Sequence, residues 1–162
     1  MDKNKYEKGF TIIELIITLL IIGIFIVISL PAYNTFTAQQ KLRNETRKLA
    51  SIIDLAKKKS FSSDLYNPNC TDFNGYRVSI TANNYSLNFG CSGSFQTLQT
   101  YALANNISIT QGTGNLTFPA LGLGISITIN TITLKSTTIN RCQSISISAI
   151  GTVDISDSQI SC

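Results

Sequence analysis

The chemistry legible in this chain sits at its start. Gly9 and Phe10 join a Lys-bearing leader to an apolar run, and Glu14 lies four residues beyond Phe10. A cut after Gly9 would leave a free α-amine on Phe10 at the head of a helix. The Glu14 carboxylate of one copy could then pair with the Phe10 amine of a neighbour. In a low-dielectric setting such a pair is favoured over two lone charges. From Phe10 to Leu30 the run is 21 residues long, and Glu14 is its only charge. A helix of that length spans about 31 Å, close to the ~30 Å hydrocarbon core of a bilayer. A carboxylate held there costs roughly 2.5–3.5 kcal/mol, and such groups usually have a partner. The same residues also fit an ordinary anchor whose Glu14 sits near the interface and reaches headgroup depth.

Elsewhere no catalytic set can be assembled. The chain has no histidine, which excludes imidazole base chemistry and His-ligated metals. No Lys-paired serine or convergent carboxylate pair follows from spacing. Gly112, Gly114, Gly122 and Gly124 do not join a hydrophobic strand to a helix, as a phosphate loop would require. No cofactor or metal is expected. The four cysteines, Cys70, Cys91, Cys142 and Cys162, are separated by 21, 51 and 20 residues, unlike zinc-ligand spacing. All follow the apolar run. An even count in an exported domain favours two disulfides. Three connectivities are possible; Cys70–Cys91 and Cys142–Cys162 join nearest neighbours and are favoured here. The net charge is +4, of which the leader carries +1, so the remainder is only weakly basic.

The elements that must position these groups follow in order. Pro31 cannot continue an unbroken hydrogen-bond ladder, so a kink is expected there. Residues 32–60 contain no further Pro or Gly. Leu42, Leu49, Ile52, Ile53 and Ala56 recur at helical spacing and form one apolar face. The basic side chains Lys41, Arg43, Arg47, Lys48 and Lys57 to Lys59 fit a solvated face. The helix should fade near Ser60–Asp64, ahead of a loop at Asn67-Pro68-Asn69. From Gly75 the period becomes two. Tyr76, Val78 and Ile80 alternate, then Tyr85, Leu87 and Phe89, with a turn at Ala82-Asn83-Asn84. Ile107 and Ile109 make a short strand, and Leu116 and Phe118 another, stopped by Pro119. Ile125, Ile127 and Ile129 alternate, then the phase slips at Asn130-Thr131 before Ile132 and Leu134, which predicts a hairpin. Ile145 and Ile147 follow, then Val153 and Ile155 after Gly151. Ser, Thr and Asn fill the intervening positions, as in antiparallel sheets with one wet face.

Gly9-Phe10-Thr11-Ile12-Ile13-Glu14-Leu15 resembles the class III signal of type IV prepilins and pseudopilins. The resemblance implies that a prepilin peptidase cuts between Gly9 and Phe10 and methylates the Phe10 amine. It also implies that Glu14 pairs with a subunit amine during assembly. Gly23 and Pro31 fall where that family has a helix-loosening glycine and a helix-kinking proline. More loosely, residues 49–56 and the turn around Ile150-Gly151-Thr152-Val153 are similar to the GspH/FimT-like minor pilins, whose domain is a long helix packed on antiparallel sheets. DNA-binding members of that branch carry arginines at this turn. Here the positions are Thr152, Val153 and Asp154, which weighs against DNA binding.

The reading is therefore an α+β, pilin-like chain with four parts. Residues 1–9 form a cleaved leader and 10–30 a membrane-spanning or filament-core helix. Residues 31–64 continue the helix as an amphipathic piece, and 65–162 form an exported β-rich domain. By the positive-inside rule the leader is cytoplasmic and the single-pass anchor lies in a bacterial inner membrane before assembly. The implied role is a non-enzymatic subunit of a type IV pilus or type II secretion pseudopilus. The implied partners are sibling pilins, prepilin peptidase, an inner-membrane assembly platform and membrane lipid. The alternative is a DNA-binding minor pilin of an uptake system.

Overall fold

Helix α1 spans Ile12–Phe61, 50 residues. A computed structural model describes residues 9–120, 126–127 and 129–162, with side chains given except at 28–32 and 126–127. The contacts divide the chain into two units, Met1–Thr37 and Ala38–Cys162. In the second unit α1 ends as the sequence predicts. Lys58 and Lys59 occupy its last turn, where cations suit the negative end of the helix dipole. Lys58 pairs with Asp54 at 2.7 Å, and Lys59 pairs with Asp64 just past the helix end.

Among the described residues ten strands follow α1. They are β1 (Phe73–Ile80), β2 (Asn84–Cys91), β3 (Ser94–Ala102), β4 (Ile107–Gln111) and β5 (Gly114–Phe118), then β6 (Ser126–Ile127), β7 (Thr131–Ser136), β8 (Arg141–Ile147), β9 (Val153–Ile155) and β10 (Ile160–Ser161). They form two sheets in the orders β3-β2-β1-β5-β6 and β10-β8-β7-β4, with β9 also pairing β8. Every pairing is antiparallel.

The alternating residues of both sheets face one core. Tyr76, Val78, Tyr85, Phe89, Leu116 and Phe118 come from the first sheet, and Ile109, Ile132, Leu134 and Ile145 from the second. Against them α1 buries Leu42, Leu49, Ile53 and Ala56, each with no exposed surface. At roughly 1.5–3 kcal/mol per large buried side chain, this stripe is what holds the helix to the sheets.

The helix end is fastened separately. The buried Ser60 hydroxyl donates to the Phe118 carbonyl at 2.5 Å and reaches the Pro119 carbonyl at 2.8 Å. Gly75, at φ +98°, passes so close that a Cβ would stand 2.0 Å from the Phe118 oxygen. Only glycine fits that crossing.

Two sequence expectations change. β3 was not foreseen: Ser94–Ala102 shows no clean two-residue alternation. Among the described residues the hairpin expected across Asn130-Thr131 does not form. β6 pairs with β5, Leu116 opposite Ile127, while β7 pairs with β8, Ile132 opposite Ile145. The phase slip marks the passage of the chain from one sheet to the other. Ile125, predicted to begin that hairpin, lies outside the described residues, as do Gly122 and Gly124.

Cys70 bonds to Cys91 and Cys142 to Cys162, with Cα separations of 5.9 and 5.4 Å. The first joins the loop before β1 to the end of β2. The second holds β10, which pairs with β8 through Ile160–Cys142 and Ser161–Arg141. Replacing both Cys142 and Cys162 by serine should cost about 3 kcal/mol by chain entropy, read as a lower denaturant midpoint. Amide exchange at Ile160 and Ser161 should rise selectively, because the disulfide anchors the residue that follows them.

The Tyr76 hydroxyl donates to the Asp64 carbonyl at 2.7 Å. Burial, and secondarily the Asp64 carboxylate, push its pKa from 10.0 up to about 12. Below pH 10 both folded and unfolded chains hold this proton. Between pH 10 and 12 the unfolded chain releases it first, so stability falls as pH rises through that window. Urea midpoints measured across the window should decline, and Tyr76→Phe should make the decline shallower.

Candidate functional site

The first unit is the start of α1, and its geometry turns on Thr11 and Glu14. Thr11 precedes the first helical residue, and Glu14 is the third residue of the first turn. The Thr11 N–H donates to Glu14 Oε2 at 3.2 Å, and the Thr11 hydroxyl donates to the same oxygen at 3.1 Å. In return the Glu14 N–H donates to Thr11 Oγ1 at 3.3 Å. This is a reciprocal capping box, which satisfies two of the amides that a helix start leaves open. The carboxylate also sits at the positive end of the helix dipole.

Thr11 is the residue that sequence reasoning missed. The signal was present, since Thr-x-x-Glu ahead of an apolar run is the pattern of such a box. Neither sequence reading of Glu14, as a charge paired with a neighbour's amine or as one reaching headgroup depth, included this local bond. Its second oxygen, Oε1, forms no hydrogen bond or ion pair among the described residues. The leader lysines at positions 3, 5 and 8 lie outside the described residues.

Gly9 and Phe10 are both exposed, Phe10 at 74%. Beyond Glu14 the apolar side chains are exposed on every side of the helix, from Leu15 to Val27. A helix that is apolar all round requires a non-aqueous surrounding or other helices. Among the described residues no helix is long and apolar enough to cross a membrane. The described apolar part of α1 ends at Val27, because side chains 28–32 are outside the described set. Sixteen residues from Ile12 to Val27 reach about 24 Å, short of the ~30 Å core. Gly23 lies within α1 with open space beside it. Pro31 also falls within the span of α1, and its side chain is not among those described.

Residues 4–30 match the family described as the prokaryotic N-terminal methylation motif. The chain carries that motif. Gly9, Phe10, Thr11, Glu14 and Gly23 all lie within the matched stretch. Over 39 residues the chain is 46% identical to the type IV major pilin protein PilE1 of Neisseria gonorrhoeae, covering 24% of each chain. It is equally similar to a fimbrial protein of Neisseria meningitidis serogroup B, covering 24% of this chain and 23% of that one. The match thus spans about a quarter of these relatives, and the resemblance is to type IV pilins over that part. No solved structure matches the chain.

The capping box makes a local prediction. Thr11→Ala removes the hydroxyl that accepts the Glu14 N–H and should speed amide exchange at Glu14 by about fivefold, equivalent to ~1 kcal/mol. Thr11→Ser should retain the protection. Exchange followed by mass spectrometry on the full chain in detergent micelles reads both.

Proposed function

We propose that this protein is a structural subunit, a minor pilin or pseudopilin, of a type IV pilus or type II secretion pseudopilus. The observation that carries the reading is the methylation motif over residues 4–30, with Glu14 capping the helix that begins beside Phe10. On this reading prepilin peptidase removes residues 1–9 and methylates the Phe10 amine. The apolar helix first holds the subunit in the inner membrane and then, lifted out by an assembly platform, lies in the filament core. The β-rich second unit is exported. The protein acts as a substrate of enzymes and a building block, not as a catalyst.

The GspH/FimT-like branch fits the second unit best. Its support is a helix whose residues 49–56 bury Leu49, Ile53 and Ala56 against two antiparallel sheets, together with the Gly151 turn ahead of β9. At that turn Thr152 and Asp154 are exposed, and neither attracts a phosphate backbone. This favours a structural subunit over a DNA-binding one.

Intact-mass measurement of membrane-extracted protein tests the processing. The expected species begins at Phe10 and carries one extra methyl group. A chain that retains residues 1–9 in cells with an active peptidase would overturn the reading.

Assembly is tested at Glu14. In a filament core, water and headgroups are absent, and an unpaired carboxylate is strongly penalised. A neighbour's Phe10 amine is the cation at the matching depth, so the pair sets axial register. Glu14→Ala and Glu14→Gln should both insert in the membrane and fold, yet enter the fibre poorly, by about tenfold or more. Co-purification with the assembled fibre measures this. Normal incorporation of both variants would exclude Glu14 as the register element.

A further inference from the structure

The C-terminal segment is tied to α1 at two points. Lys57 Nζ donates to the Gly151 carbonyl at 3.0 Å, and Gln159 Nε2 donates to the Gln39 carbonyl at 2.9 Å. Between these ties no hydrogen bond or ion pair joins α1 to residues 152–158 among the described residues. Two adjoining cavities of about 430 and 300 Å³ fill the gap, and they share Arg47 and Ile155. Together they make one cleft along α1 from Arg43 to Lys57, about 21 Å at helical rise.

The cleft has a defined chemistry. Arg43 and Arg47, one turn apart on α1, line it, and neither forms an ion pair among the described residues. Opposite them stand the half-buried side chains of Val153 and Ile155. Gln143, 3% exposed, is also part of the lining. Its Nε2 donates to the Ser156 carbonyl at 2.9 Å, which fixes the amide's orientation. Its Oε1 is buried without a partner. A buried acceptor left unpaired costs about 1–3 kcal/mol, so an occupant able to donate a hydrogen bond there is favoured.

We propose that this cleft binds an extended acidic peptide of a partner protein. About six extended residues fit its length at ~3.3 Å each. Side chains on such a peptide alternate in direction, so one set meets Val153 and Ile155 while carboxylates of the other reach the two guanidiniums. Backbone N–H groups supply the donor that Gln143 lacks. A phosphodiester or lipid phosphate satisfies the arginines but brings no donor; the carboxylates of Asp54, paired with Lys58, and of Asp157 also line the cleft and oppose either kind of anion alike. The proposal stands apart from the assembly reading, and its failure would leave the processing of residues 1–9 untouched.

The test uses the full chain in non-ionic detergent and a fluorescein-labelled Asp-Val-Asp-Val-Asp-Val peptide, followed by anisotropy. The expected result is saturable binding that weakens with salt, while the matching Lys-Val peptide does not bind. The double change Arg43→Gln with Arg47→Gln, at one half-buried and one exposed position, should weaken binding about tenfold or more. Gln143→Leu, with both arginines kept, should also weaken it, which charge attraction alone would not produce. Unchanged circular dichroism shows that each variant is folded. No binding, equal binding by the arginine variant, or unchanged binding by Gln143→Leu would overturn the proposal. So would tighter binding at these arginines of a single-stranded 12-mer DNA or of short-chain phosphatidylglycerol.

Discussion

The second unit depends on one burial, the stripe Leu42, Leu49, Ile53 and Ala56, which no solvent reaches. These side chains lie on one helical face, and no single sheet provides the whole opposing wall. The core therefore takes Tyr76, Val78 and Phe118 from the first sheet and Ile132, Leu134 and Ile145 from the second. Two sheets divided over one helix explain the passage between them near Asn130. They also explain why Ser60 and Gly75 meet so closely at the end of β5, where helix and sheet must be brought into register.

The constraint on the sheets differs from that on the helix. Their outer positions are Ser, Thr and Asn, and these form ladders of their own. Asn88, 5% exposed, donates to the Arg77 carbonyl and to Ser79 Oγ, and it accepts from the Thr97 hydroxyl at 2.7 Å. That single amide links β1, β2 and β3. Burying it without those partners would be costly, so the polar composition fixes strand order as well as wetting the surface.

This is also why the fold was partly legible. The helix face and the strands with alternating Ile, Leu, Val or aromatic residues could be read directly, since they obey periods of 3.6 and two. Of three possible connectivities, nearest-neighbour spacing favoured Cys70–Cys91 and Cys142–Cys162 without excluding the others, and these are the bonds that form. β3 could not be read that way, because it is held by side-chain pairs across strands. Tyr101 stacks on Tyr85 at 5.2 Å, and Arg77 lies 3.5 Å over the Phe95 ring. Phe95 in turn lies over Gly90, its register partner, where a Cβ would meet the ring at 2.7 Å. Such pairs depend on which strands become neighbours, and a linear pattern does not encode that. The Ile-rich stretch from 125 to 134 misled for a related reason: alternation reports that residues are strand-like but not which sheet receives them.

At the N-terminus the legibility is reversed, with the charge obvious and its local use hidden. Glu14 does two things that would otherwise conflict. A lone carboxylate at the head of an apolar helix carries a desolvation cost, and so do the open amides of the first turn. The box with Thr11 sets one cost against the other, since Oε2 takes the Thr11 N–H and hydroxyl. The carboxylate is thereby held in one rotameric arrangement, and Oε1 stays without a partner among the described residues. A flexible carboxylate would lose rotamer entropy on meeting a cation, about 1–2 kcal/mol for a Glu side chain. One already fixed by its own helix start has lost most of that in advance. The cap therefore serves the helix and also presents an oriented acceptor at its tip.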